Sequence, residues 1–241
     1  MRLRYNMLLI DGDIIAYRVG YACEDEESVL FAYNSADVFM ENLLAVYAGM
    51  LSGYELYLTG EGNFRHDFAV TAPYKGNRTR PKPKYLQEIR EHLIQQWGAM
   101  VTVGEEADDA IAIAASAPFS TEYPIIASID KDFHQIAGTH YNFVTDEEYY
   151  IDEETAVKKL YAQMITGDAV DNIVGVDGLG AVGAYDLVHG ARNEMDMWDI
   201  VRDQLGDDRA LENARLVFLR RKAGQIWVPP TERDSEDVWH A

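Results

Sequence analysis

The sequence contains a single cysteine and no long hydrophobic run. Cys23 is the only cysteine among the 241 residues, which excludes an internal disulfide and is typical of the reducing cytoplasm. No apolar run is long enough to cross a bilayer, so we expect no membrane association. The first residues resemble a signal peptide, but their apolar segment covers only residues 7–10 before Asp11 and Asp13 end it. We therefore expect a first β-strand there.

Basic residues are also scarce. The chain has 21 lysines and arginines against 41 acidic residues, a formal net charge of -20, which argues against binding nucleic acid through bulk electrostatics. Residues 68–87 nevertheless contain no acid. This segment is either a selective path for an anion or a solvated loop. Its five basic residues, which we call the basic strip, are Lys75, Arg78, Arg80, Lys82 and Lys84.

Apolar segments alternate between strand and helix patterns. Parallel sheets covered on both faces produce this alternation, so we predict an α/β fold with a mostly parallel central sheet flanked by helices. Ligands of such sheets bind beyond the carboxyl ends of the strands. The predicted strands are residues 7–10, 54–60, 99–104, 123–130 and 140–144, and the predicted helices are residues 35–51, capped by Asn34 or Ser35, 84–97 and 107–117, with a short helix from Asp132.

Acidic residues follow several of these strands. Unit charges about 4 Å apart repel by roughly 4 kcal/mol at an effective dielectric near 20, so carboxylates gathered at one sheet edge must bind protons or metal ions. Carboxylate oxygens favour Mg²⁺ or Mn²⁺, and no CxxC or HExxH pattern suggests zinc. Taken singly, Asp108, Asp109 or Asp132 is equally consistent with a helix cap or first-turn acid. The acids concerned are Asp11, Glu106, Asp108, Asp109, Asp130 and Asp132.

A further acidic pair precedes a glycine-rich turn. Asp168 and Asp171 lead into GVDGLG at residues 175–180. Glycines such as Gly178 and Gly180 allow backbone N–H groups at a helix start to approach phosphate. Because carboxylates repel phosphate, the two features are compatible only if cations lie between them. The alternative is a plain turn between packed helices.

Five motifs in order resemble the flap endonuclease and 5′→3′ exonuclease family, particularly its bacteriophage branch. They are LIDGD, YKGNR, GEEADDAI, SIDKDF and GDAVDNIVGVDGLG, within residues 11–188. The resemblance implies a PIN-like nuclease domain at residues 1–152 with a basic clamp at about 63–84. It also implies a helical helix-three-turn-helix DNA-binding region at 153–225, followed by a polar tail at 226–241.

The resemblance also implies an activity and its ligands. Members of the family hydrolyse phosphodiesters at 5′ ends, nicks or 5′ flaps of DNA with two Mg²⁺ or Mn²⁺ ions, and often bind K⁺ at the glycine-rich turn. By the same resemblance we expect a monomer that also acts on RNA–DNA hybrids.

Individual roles are carried over from the motifs. The first metal ion would be bound mainly by Asp11, Glu106, Asp108, Asp109 and Asp130, and the second mainly by Asp132, Asp168 and Asp171. The catalytic residues would be Lys75, Arg78 and Asp130. The DNA-binding residues would be Arg65, Tyr74, Lys75, Arg78, Arg80, Lys82, Lys84, Gly178 and Gly180. For Tyr74, stacking on a terminal base and anchoring of the loop are both consistent with the sequence.

Three features depart from the family pattern. Gly60, followed by Glu61, occupies a strand end where many relatives carry an acid, so this ligand is either shifted or lost. The helix after the glycine-rich turn lacks the usual lysine or arginine. Pro81 and Pro83 interrupt the short segment after Arg78, which predicts an open clamp rather than a two-helix arch.

Two other interpretations remain open. LLIDGD also fits the nucleophile strand of haloacid-dehalogenase-like phosphatases, with Asp11 as nucleophile and Asp13 as acid. A nucleic-acid-binding protein with a decayed catalytic site is the non-enzymatic alternative.

Residues 194–222 predict two helices, and Arg220, Arg221 and Lys222 would either contact DNA or interact with a helix dipole.

Overall fold

The structure is a computed structural model that describes residues 5–117 and 122–233. The end of the predicted polar tail, residues 234–241, lies outside the described residues. Among the helices that are described, none has the length and apolar character needed to cross a membrane. The chain divides into two compact units, the first comprising Met1–Gly62, Arg80–Asp130 and Gly138–Tyr150, and the second Asn63–Thr79, Lys131–Ala137 and Ile151–Ala241.

The first unit is built on a six-stranded sheet in the order β3-β2-β1-β4-β5-β6. The β1–β2, β1–β4, β2–β3 and β4–β5 pairs are parallel, whereas a four-residue turn joins β5 to β6, a connection that only antiparallel neighbours allow. Its elements are β1 (Tyr5–Asp11), α1 (Gly12–Ala22), α2 (Val29–Val46), β2 (Leu51–Glu61), α3 (Leu86–Trp97), β3 (Met100–Val103), α4 (Ala107–Ser116), β4 (Glu122–Ala127), β5 (Gly138–Asn142) and β6 (Glu147–Ile151).

Burial explains why β1 is the central strand. Leu8, Leu9 and Ile10 are consecutive and fully buried, as expected for a strand covered on both faces. The helix that follows starts at once, because Asp11 ends β1 and also caps α1. A side chain at Gly12 would place its Cβ 2.6 Å from the Tyr57 carbonyl oxygen. This glycine therefore allows α1 to start directly against β2.

All five predicted strands are present, but several boundaries differ. β4 ends at Ala127, so Asp130 lies in the following loop. The helix predicted from residue 35 begins at Val29, where the Ser28 side chain caps it. Neither α1 nor β6 was predicted, because two glycines weaken the helical pattern of α1 and the polar sequence of β6 does not resemble a buried strand.

The second unit is mainly helical. Its core contains Tyr161, Trp198, Phe218 and Trp227. The two helices predicted between residues 194 and 222 are confirmed, although the second ends at Val217. Its elements are α5 (Glu153–Thr166), the antiparallel pair β7 (Gly167–Asp168) and β8 (Ile173–Val174), α6 (Ala181–His189), α7 (Glu194–Leu205), α8 (Asp207–Val217), and three 3₁₀ helices (Phe64–Asp67, Lys131–Gln135 and Pro230–Glu232).

The predicted clamp contains no α-helix. Within residues 63–85, all of which are described, the only regular element is the 3₁₀ helix Phe64–Asp67, in keeping with an open clamp. Residues 63–79 belong to the second unit, whereas Arg80 and the rest of the basic strip belong to the first. The residues of the predicted clamp are therefore divided between the two units.

Candidate functional site

Asp11 is a buried carboxylate at the carboxyl end of the central strand. Only 6% of the residue is exposed. Its Oδ1 accepts a hydrogen bond from the Ile14 amide at 3.2 Å, and its Oδ2 accepts one from the Ser128 hydroxyl at 2.8 Å. Burial raises the pKa of Asp11 to about 7, and the negative charges of Asp13 and Asp130 add to this effect against the two hydrogen bonds.

Ser128 connects two of the predicted metal ligands. Its hydroxyl oxygen donates to Asp11 and accepts a hydrogen bond from the Asp130 amide at 3.0 Å. The loop after β4 thus places Asp130 beside the end of β1. Sequence reasoning missed Ser128, although its position two residues before Asp130 in SIDKDF was a usable signal.

Three more predicted ligands cluster at the start of α4. Glu106 and Asp109 form a capping box, in which Asp109 Oδ2 accepts from the Glu106 amide at 3.3 Å. Asp108 Oδ1 accepts from the Asp109 amide at 2.8 Å. The helix-cap interpretation of this acidic cluster is therefore correct for Asp109, and any metal-binding role is additional to it.

The donor chemistry of this sheet edge suits a hard cation. Within the described residues, no lysine, arginine or histidine contacts Asp11, and Asp13 and Asp130 are its acidic neighbours. No three histidine, cysteine or acidic side chains that the structure describes are already arranged around a common ion position. The buried carboxylate and its acidic neighbours nevertheless provide the all-oxygen ligands that Mg²⁺ and Mn²⁺ prefer.

Asp13, unlike Asp11, forms an ion pair with an arginine. Its Oδ2 accepts from the Thr59 amide at 2.9 Å, and Arg90 of α3 forms an ion pair with its Oδ1 while also donating to the Thr59 carbonyl oxygen. Sequence analysis did not identify Arg90 or Thr59. This ion pair disfavours the phosphatase interpretation, which requires Asp13 to donate a proton.

Gly60 cannot carry the acid that many relatives have at this strand end. A Cβ at Gly60 would lie 2.0 Å from the Thr102 carbonyl oxygen, where the pairing of β2 with β3 shifts register between Leu58 and Glu61. The close approach of the two strands excludes any side chain at this position. Glu61, the exposed last residue of β2, is the acid next to it.

In the second unit, Asp171 brings together the predicted catalytic cations. Asp171 Oδ2 accepts from the Tyr74 hydroxyl at 2.8 Å and lies 3.6 Å from Lys75 Nζ, while Oδ1 lies 2.5 Å from Arg78 Nη2. Asp168 Oδ1 accepts from the amides of Val170 and Asp171 and so shapes this turn. One predicted metal ligand is therefore in direct contact with both predicted phosphate-binding cations.

Asp132 lies in the 3₁₀ helix Lys131–Gln135 of the same unit. Its Oδ1 accepts a hydrogen bond from Gln163 Nε2 of α5 at 2.7 Å. Gln163 was not predicted as part of the site. Its amide orients the Asp132 carboxylate.

The prediction that Arg65 contacts DNA is wrong for this structure. Arg65 is 2% exposed and donates to the carbonyl oxygens of Leu216 at 2.8 Å and Phe218 at 2.9 Å. Tyr74 is also buried, at 5% exposure, with its ring in the core of the second unit. Its burial favours the loop-anchor interpretation over base stacking.

Other predicted DNA-binding residues differ in their contacts. The Arg80 guanidinium stacks on the ring of Tyr21 with its Cζ 3.8 Å from the ring centroid, and Lys84 Nζ donates to the Glu26 carbonyl oxygen at 2.7 Å. Lys82 is exposed. Arg80 and Lys84 are exposed as well, but unlike them Lys82 makes no hydrogen bond or ring contact with the described residues.

The glycine-rich turn has open backbone. Gly178 has a φ of 75°, and Gly180 caps α6 without a side chain. A Cβ at either position would meet no heavy atom within 4 Å among the described residues. The side-chain positions of both glycines are therefore open space.

The structure also bears on Arg220 and Arg221, for which the sequence suggested either DNA contact or interaction with a helix dipole. Because α8 ends at Val217, Arg220 and Arg221 do not lie in a helical turn, and the dipole interpretation is wrong for them. Arg220 is buried with its Cζ 3.6 Å from the Phe64 ring centroid. Arg221 donates to the Gln135 carbonyl oxygen at 2.7 Å. Both arginines organise the second unit internally.

A model of the family described as the 5′-3′ exonuclease, N-terminal resolvase-like domain, matches residues 6–162 of this chain. The chain belongs to this family. The match includes both the acidic residues of the first unit and the YKGNR segment of the second. It does not extend to the glycine-rich turn.

Relatives of the family include free-standing exonucleases and larger polymerases. DNA polymerase I of Bacillus caldotenax is 27% identical over 98% of this chain and 30% of that protein. The 5′-3′ exonuclease of Mycoplasmopsis pulmonis is 26% identical over 80% of this chain and 69% of that protein. The chain thus spans less than a third of the polymerase.

Solved structures of a bacteriophage T5 protein share the fold. One, co-crystallised with metal ions, has a TM-score of 0.71 at 20% identity and covers 89% of both chains. Another, a T5 flap endonuclease in complex with DNA and metal ions, has a TM-score of 0.66 at 21% identity over 89% of each chain. At this identity the similarity establishes the α/β fold and its C-terminal helical region.

Proposed function

We propose that this chain is a metal-dependent nuclease that hydrolyses DNA phosphodiesters at 5′ ends, nicks and 5′ flaps. The observation that carries the proposal is the environment of Asp11, a buried carboxylate at a sheet edge with acidic neighbours in a chain of the exonuclease family. A divalent cation would supply the positive charge that this carboxylate lacks in the described structure.

Two divalent ions, Mg²⁺ or Mn²⁺, fit the available ligands. When bound, such ions lower the pKa of a water molecule and stabilise charge on the attacking and leaving oxygens. The proposed ligands of one ion are Asp11, Glu106, Asp108, Asp109 and Asp130, and those of the other are Asp132, Asp168 and Asp171. Ser128 and Gln163 orient ligands in the respective groups.

Lys75 and Arg78 are the proposed cations for the scissile phosphate. Both contact Asp171 in the structure, which keeps their charges in one place. Negative charge on the phosphate increases as the bond is attacked, so fixed cations bind the transition state more strongly than the substrate. This differential binding accelerates hydrolysis.

The glycine-rich turn is the proposed duplex-binding element. Open backbone at Gly178 and Gly180 allows N–H groups at the start of α6 to bind a phosphate, and a K⁺ ion at this turn would reduce repulsion by the acidic chain. A protein of the same fold has been crystallised with DNA and metal ions. RNA–DNA hybrid is a further proposed substrate, and the proposed active form is a monomer.

One assay tests the activity. The purified protein is offered labelled 5′-flap, nicked, blunt and RNA–DNA hybrid substrates with Mg²⁺, with EDTA, and with Mg²⁺ after Asp130→Asn. We expect Mg²⁺-dependent release of 5′-phosphorylated products, and we expect Asp130→Asn to abolish cleavage while retaining DNA binding. Intact DNA together with hydrolysis of a small phosphomonoester would favour a phosphatase, and binding without cleavage would indicate a decayed nuclease.

A further inference from the structure

Residues 70–78 form a loop that carries Lys75 and Arg78 and is attached to other segments of the second unit by several hydrogen bonds, two groups of which involve Glu212 and Asn172. Its described internal backbone hydrogen bonds are few: Gly76 N–H donates to the Pro73 carbonyl at 2.9 Å, and Arg78 N–H donates to the Lys75 carbonyl at 3.2 Å. A segment with so little internal bonding takes its conformation from external contacts. We call this segment the lysine loop.

Glu212 of α8 makes the first attachment. Its Oε1 accepts from the amides of Val70 and Thr71, both at 2.7 Å, and its Oε2 accepts from the Thr71 hydroxyl at 2.5 Å. Three hydrogen bonds therefore converge on one carboxylate. Charge-assisted hydrogen bonds of this kind are stronger than neutral ones, so Glu212 fixes the start of the lysine loop.

Asn172 makes the second attachment. Its Nδ2 donates to the Pro73 carbonyl at 2.8 Å, and the neighbouring Asp171 carbonyl accepts from the Lys75 amide at 2.8 Å. Both Lys75 and Asn172 have positive φ angles, 56° and 61°. Lysine rarely adopts this conformation, and strained backbone persists only where the surroundings impose it.

We propose that Glu212 and Asn172 are positioning residues that hold the lysine loop so that Lys75 presents its ammonium group to the scissile phosphate. The proposal rests on the proposed nuclease function. Neither side chain contacts Lys75 Nζ, whose described partners are Asp171 Oδ2 at 3.6 Å and the ring of Tyr74 at 5.0 Å. The two residues act through the backbone of residues 70–73.

Preorganisation gives this arrangement a kinetic consequence. A cation that is already in place when the phosphate gains charge contributes to the transition state without reorganisation, and a displacement of about 1 Å can lower a rate by about 10²-fold. Loss of either attachment leaves the charge of Lys75 unchanged. The defect therefore falls on the cleavage step, whereas attraction of DNA is preserved.

Four variants test the two attachments. Glu212→Ala removes the first, and Asn172→Gly removes the side-chain hydrogen bond of the second while retaining a residue that tolerates positive φ. Asp208→Asn is the matched control, because Asp208 is an exposed acid on the same helix with no side-chain hydrogen bond among the described residues. Glu212→Gln retains an oxygen that can accept from the Val70 and Thr71 amides.

The readouts are single-turnover cleavage at saturating flap DNA, DNA affinity, and hydrogen exchange of the Lys75 amide. We expect Glu212→Ala and Asn172→Gly to cleave about 10- to 100-fold more slowly, with affinity within about 2-fold of the parent and with faster Lys75 exchange. Glu212→Gln should recover most of the rate, and Asp208→Asn should match the parent.

The outcomes separate this inference from the proposed function. Parental cleavage rates in both variants, or a loss confined to DNA affinity, would overturn the positioning role while leaving the nuclease function intact. If the parent protein does not cleave DNA, the proposed nuclease function is wrong. Hydrogen exchange of the Lys75 amide then decides whether the attachments order the lysine loop. Unchanged exchange in both variants overturns the inference in either case.

Discussion

Replacing Arg65 separates a structural role from a DNA-binding role. Arg65 lies close in sequence to the basic strip, yet it is buried and donates to the carbonyl oxygens of Leu216 and Phe218. Arg65→Met retains much of the apolar side chain but removes both donors. A buried carbonyl that loses its partner costs about 1 to 3 kcal/mol, so we expect the free energy of unfolding to fall by about 2 to 6 kcal/mol.

Urea unfolding followed by circular dichroism measures this change, and DNA binding is measured at a temperature where the variant remains folded. Lys82→Met is the control, because Lys82 is exposed and its replacement should weaken DNA binding at higher salt without changing stability. The reasoning would be refuted by an Arg65→Met variant with parental stability and reduced DNA affinity, since that result would place Arg65 at the DNA surface.

Three further predictions follow from the site. Lys75→Ala should lower the rate of single-turnover cleavage by about 10²-fold or more, with a much smaller change in DNA affinity. Lys82→Ala should mainly weaken DNA binding. A normal cleavage rate of Lys75→Ala at saturating DNA would show that Lys75 is not catalytic. Gly180→Val should weaken binding to duplex DNA more than to single strands. The circular dichroism spectrum should not change, because Gly180 has a φ of -85° and open space around its Cβ position. Equal affinity of the variant and the parent for duplex DNA would contradict the phosphate contact. The pKa of Asp11, raised from 3.8 to about 7, means that the folded metal-free protein holds this proton more tightly than the unfolded chain, so its stability falls between about pH 4 and 7. Asp11→Asn should remove this loss and stabilise the metal-free protein at pH 8 by up to about 4 kcal/mol, as measured by urea unfolding in EDTA; equal stability of the two proteins at pH 8 would contradict the assigned environment.

The α/β fold was predictable because its signals are local. Leu8, Leu9 and Ile10 form a continuous apolar run, which indicates a strand buried on both faces. Acids that follow such strands must lie towards one sheet edge, so the acidic character of the site was also predictable. Boundaries were less accurate where capping decided them, as at Ser28, whose side chain starts α2 six residues before the expected cap region.

The contacts within the site were not predictable from local patterns. Ser128 joins Asp11 to Asp130, and Arg90 pairs with Asp13, across separations of 117 and 77 residues. Ser128 lies near Asp130 in the sequence, but nothing near Asp11 or Asp13 specifies Ser128 or Arg90 as its partner. They become neighbours only when the parallel strands and α3 take their places in the first unit.

The sequence by itself determined the alternation of strands and helices, the positions of the acids and the glycine-rich turn, because periodicity and residue type act over a few neighbouring residues. Tertiary structure alone decided which basic residues are accessible. Arg65 is buried by residues 151 and 153 positions away, and the lysine loop is fixed by a glutamate 141 residues beyond Thr71. Burial and hydrogen bonding depend on which distant segments pack together, and that packing sets the environment of each charge.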